Sequence, residues 1–387
     1  MTNGTEGIRG ASAFIGAATD GIGEAPGFSG QELAIRASLK AMQDAGVKAS
    51  DIDGVFGALS AESMCGVAIS EYLGIQPKYS NNNKIGGSTF LSLTHTAAMA
   101  IKNGLIETAL IYYGSNQRSA FGRLAVSATH QSDYEGLYKP RFPMTSYALA
   151  ASRHMYEYGT TREQLAQVAV AARQWAQLNP DAFMRDPLTI EDVMASRVIS
   201  DPFSVRDCCL VTDGAGALIM TSAERAKDFR QKPVYLLGAA GEHWHKQISA
   251  MPDLTVTAAS KSGPRALEMA RLKPSDVDVI ELYDAFTINT ILFLEDLGFC
   301  PKGEGGRFVT DGHIAPGGGL PVNTNGGGLS CVHPGMYGIF TLIEGVQQLQ
   351  GECNGRQIEN AKVALCHGSG GVLSSQVTNI LGTEETL

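Results

Sequence analysis

Apolar and polar positions along the chain alternate between two rhythms. Short apolar runs such as VYLLGAAG read as strands, and longer stretches with apolar residues on one face, such as SLTHTAAMAIKNG, read as amphipathic helices. One such unit occurs twice. Ala41, Met42 and Ala45 close a helix that leads through Val47-Lys48-Ala49-Ser50-Asp51-Ile52-Asp53 into the strand Gly54-Val55-Phe56. Ala266, Leu267 and Ala270 lead in the same way through Leu272-Lys273-Pro274-Ser275-Asp276-Val277-Asp278 into Val279-Ile280-Glu281, at a constant offset of 225. In each copy a Ser-Asp pair caps the turn between helix and strand.

The repeat continues further on. Glu107 to Gly114 (ETALIYYG) matches Ala361 to Gly368 (AKVALCHG) at an offset of 254, the increase being taken up by a Gly-rich loop at roughly 301–321 in the second copy. Helices alternating with strands predict an α/β fold of parallel βαβ units, here in two related halves. The expected division is 1–229 and 230–387, with an insertion at about 115–205 in the first half. That insertion contains two helix-like runs, TREQLAQVAVAARQWAQLN and TIEDVMASRVI. An insertion this long over a repeated core is expected to bind substrate.

Composition narrows the class. Glycine supplies 45 of 387 residues, well above the average of about 7%, yet the chain is 44% hydrophobic and has no G-X-Y period. Tight turns around a packed core remain. The net charge is −9, from 30 basic and 39 acidic residues, which excludes a nucleic-acid binder of the usual basic kind. Neither a leader-like nor a bilayer-length apolar stretch is seen, so a cytoplasmic protein away from the membrane is expected. Seven scattered cysteines without C-x-x-C argue against a disulfide framework or a zinc ribbon, and no metal is expected, His243 and His245 being read as loop residues.

Three segments place reactive side chains at strand ends or helix starts. The first is Asn81-Asn82-Asn83-Lys84-Ile85-Gly86-Gly87-Ser88, where glycines before a helix either expose N–H groups to an oxyanion or form an ordinary turn and cap. The second is Glu281-Leu282-Tyr283-Asp284-Ala285-Phe286, where Tyr283 is an acid/base with a charge partner or a buried tyrosine satisfied by its neighbour. The third combines Asn323-Thr324-Asn325-Gly326-Gly327-Gly328 with His333-Pro334-Gly335-Met336-Tyr337 and Cys366-His367-Gly368. A symmetric fold of the two halves would bring them together.

The order of these segments resembles the thiolase superfamily, in particular the sterol-carrier-protein-type thiolases and their lipid-transfer-protein-like aldolase relatives. The likeness runs through nearly the whole chain: NNN before a helix, residues 180–196, Asp207-Cys208-Cys209 with Thr212-Asp213-Gly214-Ala215, ELYDAF, residues 294–309, and NTNGGGLSCVHPGMYG. It implies a thiolase fold, two βαβαβαββ halves in a five-layer α-β-α-β-α sandwich, usually a homodimer, with acyl-CoA thioesters as ligands and no permanent cofactor. A catalytic thiolase carries a nucleophilic cysteine at the first-half helix start. None of Lys84 to Thr89 is Cys.

The pattern with YD-x-F, Gly86-Gly87 at the nucleophile and HPGM resembles the aldolase branch, which implies retro-aldol cleavage of a β-hydroxyacyl-CoA. On that resemblance Tyr283 and Tyr337 move the hydroxyl proton, His333 and N–H groups near Gly87 hold the enolate oxygen, Cys366 protonates carbon, and Asp284 and Asn323 support them. Arg118, Arg123, Lys139 and Arg141 of the insertion are candidates for the CoA phosphates. An acyltransferase using Ser88 or Cys366, and a catalytically silent acyl-CoA-binding subunit, are the competing readings. The resemblance also implies a partner protein with an OB fold and a zinc ribbon.

Overall fold

The computed structural model describes residues 7–59, 62–120 and 135–387. The first half runs β1 (Ser12–Gly23), α1 (Gly30–Ala45), β2 (Gly54–Leu59), α2 (Cys65–Leu73), β3 (Tyr79–Asn81), α3 (Thr89–Lys102) and β4 (Thr108–Ser115). The insertion then carries α4 (Met144–Tyr158), α5 (Arg162–Gln177), α6 (Ile190–Met194) and a hairpin of β5 (Val198–Ser200) and β6 (Phe203–Ser204). The first half closes with β7 (Asp213–Ser222) and α7 (Ala223–Ala226). The second half runs β8 (Val234–His243), α8 (Ala259–Ala270), β9 (Val279–Leu282), α9 (Thr287–Asp296), α10 (Gly305–Phe308), α11 (Gly338–Gln350), β10 (Val363–Gly370) and β11 (Ser375–Gly382).

Local chemistry explains the boundaries. Ser29 accepts the N–H of Glu32 at 3.1 Å and the Glu32 carboxylate returns to the N–H of Ser29 at 2.7 Å, so α1 starts in a capping box. Its buried face is built from Leu33, Ala34, Ala37, Ala41 and Ala45, small enough for the helix to lie directly on the sheet. The same device recurs in α8: a Cβ at Gly16 would lie 2.5 Å from the carbonyl of Ala41, and one at Gly238 would lie 2.1 Å from the carbonyl of Ala266. The two repeat copies are therefore structural equivalents.

Asp53 and Asp278, 225 residues apart, set the register. Asp53 accepts the N–H groups of Glu107 and Thr108 at 2.9 and 3.0 Å, and Asp278 those of Lys362 and Val363 at 2.8 and 2.9 Å. Gly54 pairs with Ala109 and Val279 with Ala364. The offset in this strand is thus 255, one more than the expected 254, and a one-residue slip exchanges the two faces of a strand.

The strands form one mixed sheet in the order β3-β2-β4-β7-β1-β8-β11-β10-β9, joined at its centre by a short pairing of Ala13 with Tyr235 and Phe14 with Val234. On either side of that seam lies one half. Helices α3 and α11 pack against each other and against strands of both halves, α1 and α2 cover the first half's outer face, and α8 and α9 pack together on the second's. This is the thiolase-type layered α/β sandwich expected. The second half departs from a full βαβαβαββ, because its third strand is reduced to a single bridge between Val322 and Ile280. In the insertion, α6 stops at Met194 and the Arg197-Val198-Ile199 expected as helix enters β5, while α4 arises in a stretch not read as helical. No helix among the described residues is long and apolar enough to cross a membrane.

Candidate active site

Strand β9 ends at Leu282, and the chain turns so that Tyr283 leaves the carboxyl end of the sheet, where open α/β folds place ligands. Its main chain is held by the carbonyl of His367, which accepts its N–H at 3.0 Å, and by Asn289, whose amide donates to its carbonyl at 3.3 Å. The Tyr283 hydroxyl lies 3.0 Å from Nε2 of His333 and 3.3 Å from the carbonyl oxygen of Gly335. His333 is fixed in turn, since its N–H donates to Oγ1 of Thr212 at 2.9 Å. Tyr113, at the end of β4, donates to the carbonyl of Pro334 and accepts the N–H of Met336 at 3.2 Å. One loop is thereby clamped from both halves.

Burial sets the protonation states. It pulls the His333 imidazole down from its ordinary value to about 4 and pushes the Tyr283 phenol well above 10, with Tyr147, Cys209 and Tyr113 adding to the latter. At neutral pH both groups are uncharged. The imidazole is then free to accept a proton, and the phenol is a relay rather than a standing phenolate.

Gly87 accounts for the ring's position. A Cβ at residue 87 would lie 1.9 Å from Cε2 of Tyr283, so the aromatic ring fills the space a side chain at the helix start would need. The same packing continues around it: a Cβ at Gly338 would lie 1.8 Å from the carbonyl of Gly87, and one at Gly370 would lie 1.7 Å from that of Ile85. Much of the glycine excess lies here, where the two halves meet.

Asp284 faces the other way. Its carboxylate accepts the N–H groups of Gly328 at 2.6 Å and Leu329 at 3.4 Å, at the start of a π-helical turn spanning Gly327–Cys331. Burial raises its carboxyl to about 7, against the pull of those N–H groups. Asn323 accepts the N–H of Leu282 at 2.6 Å, tying β9 to this turn. Both residues thus brace the backbone on either side of Tyr283.

The remaining expected residues are placed differently. Tyr337 packs edge-on to Tyr283 at 5.9 Å but is fully buried, and its hydroxyl donates to Oδ1 of Asn325 at 3.0 Å. It backs the site instead of opening onto it. Ser88 is also fully buried, its hydroxyl 2.6 Å from the carbonyl of Ser375 and 3.1 Å from that of Gly368. It stitches the halves together and, among the described residues, its hydroxyl is held by carbonyls and not by a base. Cys366 points at α11, its thiol 3.2 Å from the carbonyl of Thr341, and burial with Glu281 and Glu344 nearby keeps it protonated. Sitting on the α11 side of β10, it is separate from the Tyr283–His333 pair.

The basic residues do not form one cluster. Arg118 pairs with Glu24 and lies over the ring of Phe183 at 4.9 Å, Lys139 and Arg141 are exposed on a loop before α4, and Arg123 lies outside the described residues. Tyr113, Thr212 and Asn325 hold the site and were not singled out for that role. Their only signal is position: a tyrosine before Gly114 at a strand end, and polar residues inside Gly-rich turns.

Residues 240–383 match the family model for the thiolase C-terminal domain-like family. The chain is 33% identical over 384 residues to the acetyl-CoA acetyltransferase of Methanothermobacter thermautotrophicus, covering 95% of this chain and 98% of that protein. It is 33% identical over 365 residues to the 17-hydroxy-3-oxo-4-pregnene-20-carboxyl-CoA lyase of Mycobacterium tuberculosis, covering 89% and 92%. A steroid side-chain-cleaving aldolase of Thermomonospora curvata is 31% identical over 384 residues, covering 94% of this chain and 96% of that protein. Among solved structures, the Ltp2-ChsH2(DUF35) aldolase superposes with a TM-score of 0.88 at 31% identity, over 97% of this chain and 99% of that one. With sequence likeness over nearly its full length, the layered fold and the glycine-floored site between its halves, the chain belongs to the thiolase superfamily, in the branch that joins sterol-carrier-protein-type thiolases to side-chain-cleaving aldolases.

Proposed function

We propose that the protein is a retro-aldolase that cleaves a β-hydroxyacyl-CoA without forming an acyl-enzyme. The observation that carries this reading is the Tyr283 ring standing in the space of a residue-87 side chain, with its hydroxyl on His333. A thiolase-type nucleophile has no room there. The two other candidate acyl acceptors, Ser88 and Cys366, have their polar atoms engaged elsewhere.

The pair present suits proton transfer at a hydroxyl. The substrate hydroxyl gives its proton to the Tyr283 oxygen as Tyr283 passes its own to Nε2 of His333. The Cα–Cβ bond breaks, the carbinol carbon leaves as a ketone or aldehyde, and the bonding electrons move into the thioester as its enolate. The proton then returns from His333 through Tyr283 to Cα, which completes a shortened acyl-CoA and restores both residues. No external oxidant or reductant enters.

The likeness to a steroid side-chain-cleaving aldolase makes a β-hydroxyacyl-CoA with a bulky polycyclic carbinol the first substrate to try. The Ltp2-ChsH2(DUF35) neighbour supports work in a hetero-oligomer, and the open edge at β3 leaves main-chain groups on which a second copy would pair. The test is mass spectrometry of substrate, carbonyl product and shortened acyl-CoA, together with the intact mass of the protein. Carbonyl product with unmodified protein is expected. A stable acyl adduct, or turnover only when a second acyl acceptor is supplied, overturns the reading.

A further inference from the structure

Two residues before Tyr283, in β9, Glu281 is fully buried, and its Oε2 has no hydrogen-bond partner among the described residues. Its other oxygen, Oε1, accepts the N–H of Thr324 at 3.0 Å and lies 2.8 Å from Oγ1 of the same residue. That hydroxyl is oversubscribed. Oε1 of Glu344 lies 2.7 Å from it, and Nε2 of Gln348 donates to it at 2.9 Å. With one hydrogen to give, Thr324 satisfies one carboxylate, and the other meets it lone pair against lone pair unless it carries a proton of its own.

The surroundings decide which one does. Glu344 receives Nε and Nη2 of Arg356 at 2.9 and 3.0 Å, whereas the donors on Glu281 are the neutral N–H and hydroxyl of Thr324. Ionised, Glu281 would be a buried charge with a bare oxygen, beside a second carboxylate; as a neutral acid it avoids that cost. Burial and the neighbouring Glu344 push its carboxyl well above the ordinary range, against the pull of Thr324 and Arg356. The other titratable groups facing it, Tyr337 before α11, Cys353 after it and Cys366 of β10, bring no positive charge. We propose that Glu281 keeps its proton at neutral pH and, as a neutral acid donating to Thr324, is a positioning residue for Tyr283. The segment it grips fixes the end of β9: Asn323 donates to the carbonyl of Ile280 at 2.8 Å and accepts the N–H of Leu282 at 2.6 Å, directly before Tyr283.

The catalytic consequence rests on the retro-aldol reading, but the proton has its own test on the full chain without substrate. Infrared difference spectra between the native protein and Glu281→Gln at neutral pH should show the carbonyl stretch of a neutral carboxylic acid. Carboxylate bands in its place overturn the proposal. A proton held by the folded chain and released by the unfolded one favours unfolding as pH rises. From about pH 5.5 to 7, the unfolding constant of the native protein should therefore climb about tenfold per pH unit relative to that of Glu281→Gln. Parallel curves overturn the proposal as well. With a β-hydroxyacyl-CoA, Glu281→Ala should lose about 10²-fold in kcat at an unaltered KM, the cost of misplacing a group by about 1 Å, and Glu281→Gln should regain most of it. Thr324→Val, which removes the receiving hydroxyl, should show the same loss and serves where Glu281→Ala does not fold. Native kcat in the folded variants would overturn the positioning role. A native protein that cleaves nothing counts against the retro-aldol reading, while the spectra and unfolding curves still decide the proton.

Discussion

Tyr283→Phe keeps the ring that fills the space beside Gly87 and removes only the hydroxyl that reaches His333. Cleavage should fall about 10²–10⁴-fold while the protein stays folded, a range set by general acid–base contributions and read from kcat/KM beside a melting curve. With the His333 imidazole at about 4, the neutral acceptor is lost only below that value, so the acid limb of kcat/KM should lie near pH 4 instead of near 6.5. An acid limb at the ordinary histidine value would show that His333 is not the acceptor. The meeting of Tyr283 and His333, the proposed pair, is legible because each sits where an apolar run breaks into polar and glycine residues. Cys366 stands in a motif the resemblance marks, but the direction of its thiol, toward the carbonyl of Thr341 on α11, is decided by the register of β10 and not by the motif. Tyr337 could not be sorted from Tyr283, since which hydroxyl opens outward depends on packing.

At the scale of elements, loops carry the precision of the site. Asp213, at the start of β7, accepts N–H groups from Ala25, Arg118 and Ser119, and the Ser119 hydroxyl as well. Asp213→Ala strips the acceptor from those donors at once and should destabilise by about 3 kcal/mol, read as a shifted urea midpoint. Activity should fall too, because the loop it anchors follows directly from β4. Gly327, at φ +65° and with a would-be Cβ 2.0 Å from the Asp284 carboxylate, has no room for a side chain. Gly327→Ala should push that carboxylate off the N–H groups of Gly328 and Leu329, lowering the melting temperature by several degrees, on the order of 1–3 kcal/mol of overpacking. The helices and strands of the repeat were legible from apolar spacing. The π-helical turn and the short β5–β6 hairpin were not, because both exist through long-range partners: α5 packs against the turn, and Asp207 accepts the N–H of Ser204 and the hydroxyl of Thr287.

For the whole molecule, the two halves share a middle. Helix α3 comes from the first half and α11 from the second, and each lies against strands of the other half. The second half expressed alone would bare the apolar face of α11 and the carbonyl-lined surface that receives Ser88. It should be insoluble or lack a cooperative melting transition, while the full chain melts as one unit; a cooperative melt of residues 230–387 by themselves would contradict this. The repeat made the halves visible in the sequence. Their interlocking was not visible, because glycines that allow backbones to touch look the same in a one-dimensional chain as glycines that turn it.

The shared space between residue 87 and the Tyr283 ring also constrains how the protein's chemistry can change over generations. A cysteine introduced at position 87 first would collide with the ring, so that step passes through a misfolded or inactive variant. Shrinking Tyr283 first surrenders the old activity but leaves a folded scaffold with an empty place for the nucleophile. An evolutionary route between bond cleavage and acyl transfer therefore has a preferred order, tyrosine before glycine, because only that order keeps the fold intact at the step where the old activity is lost.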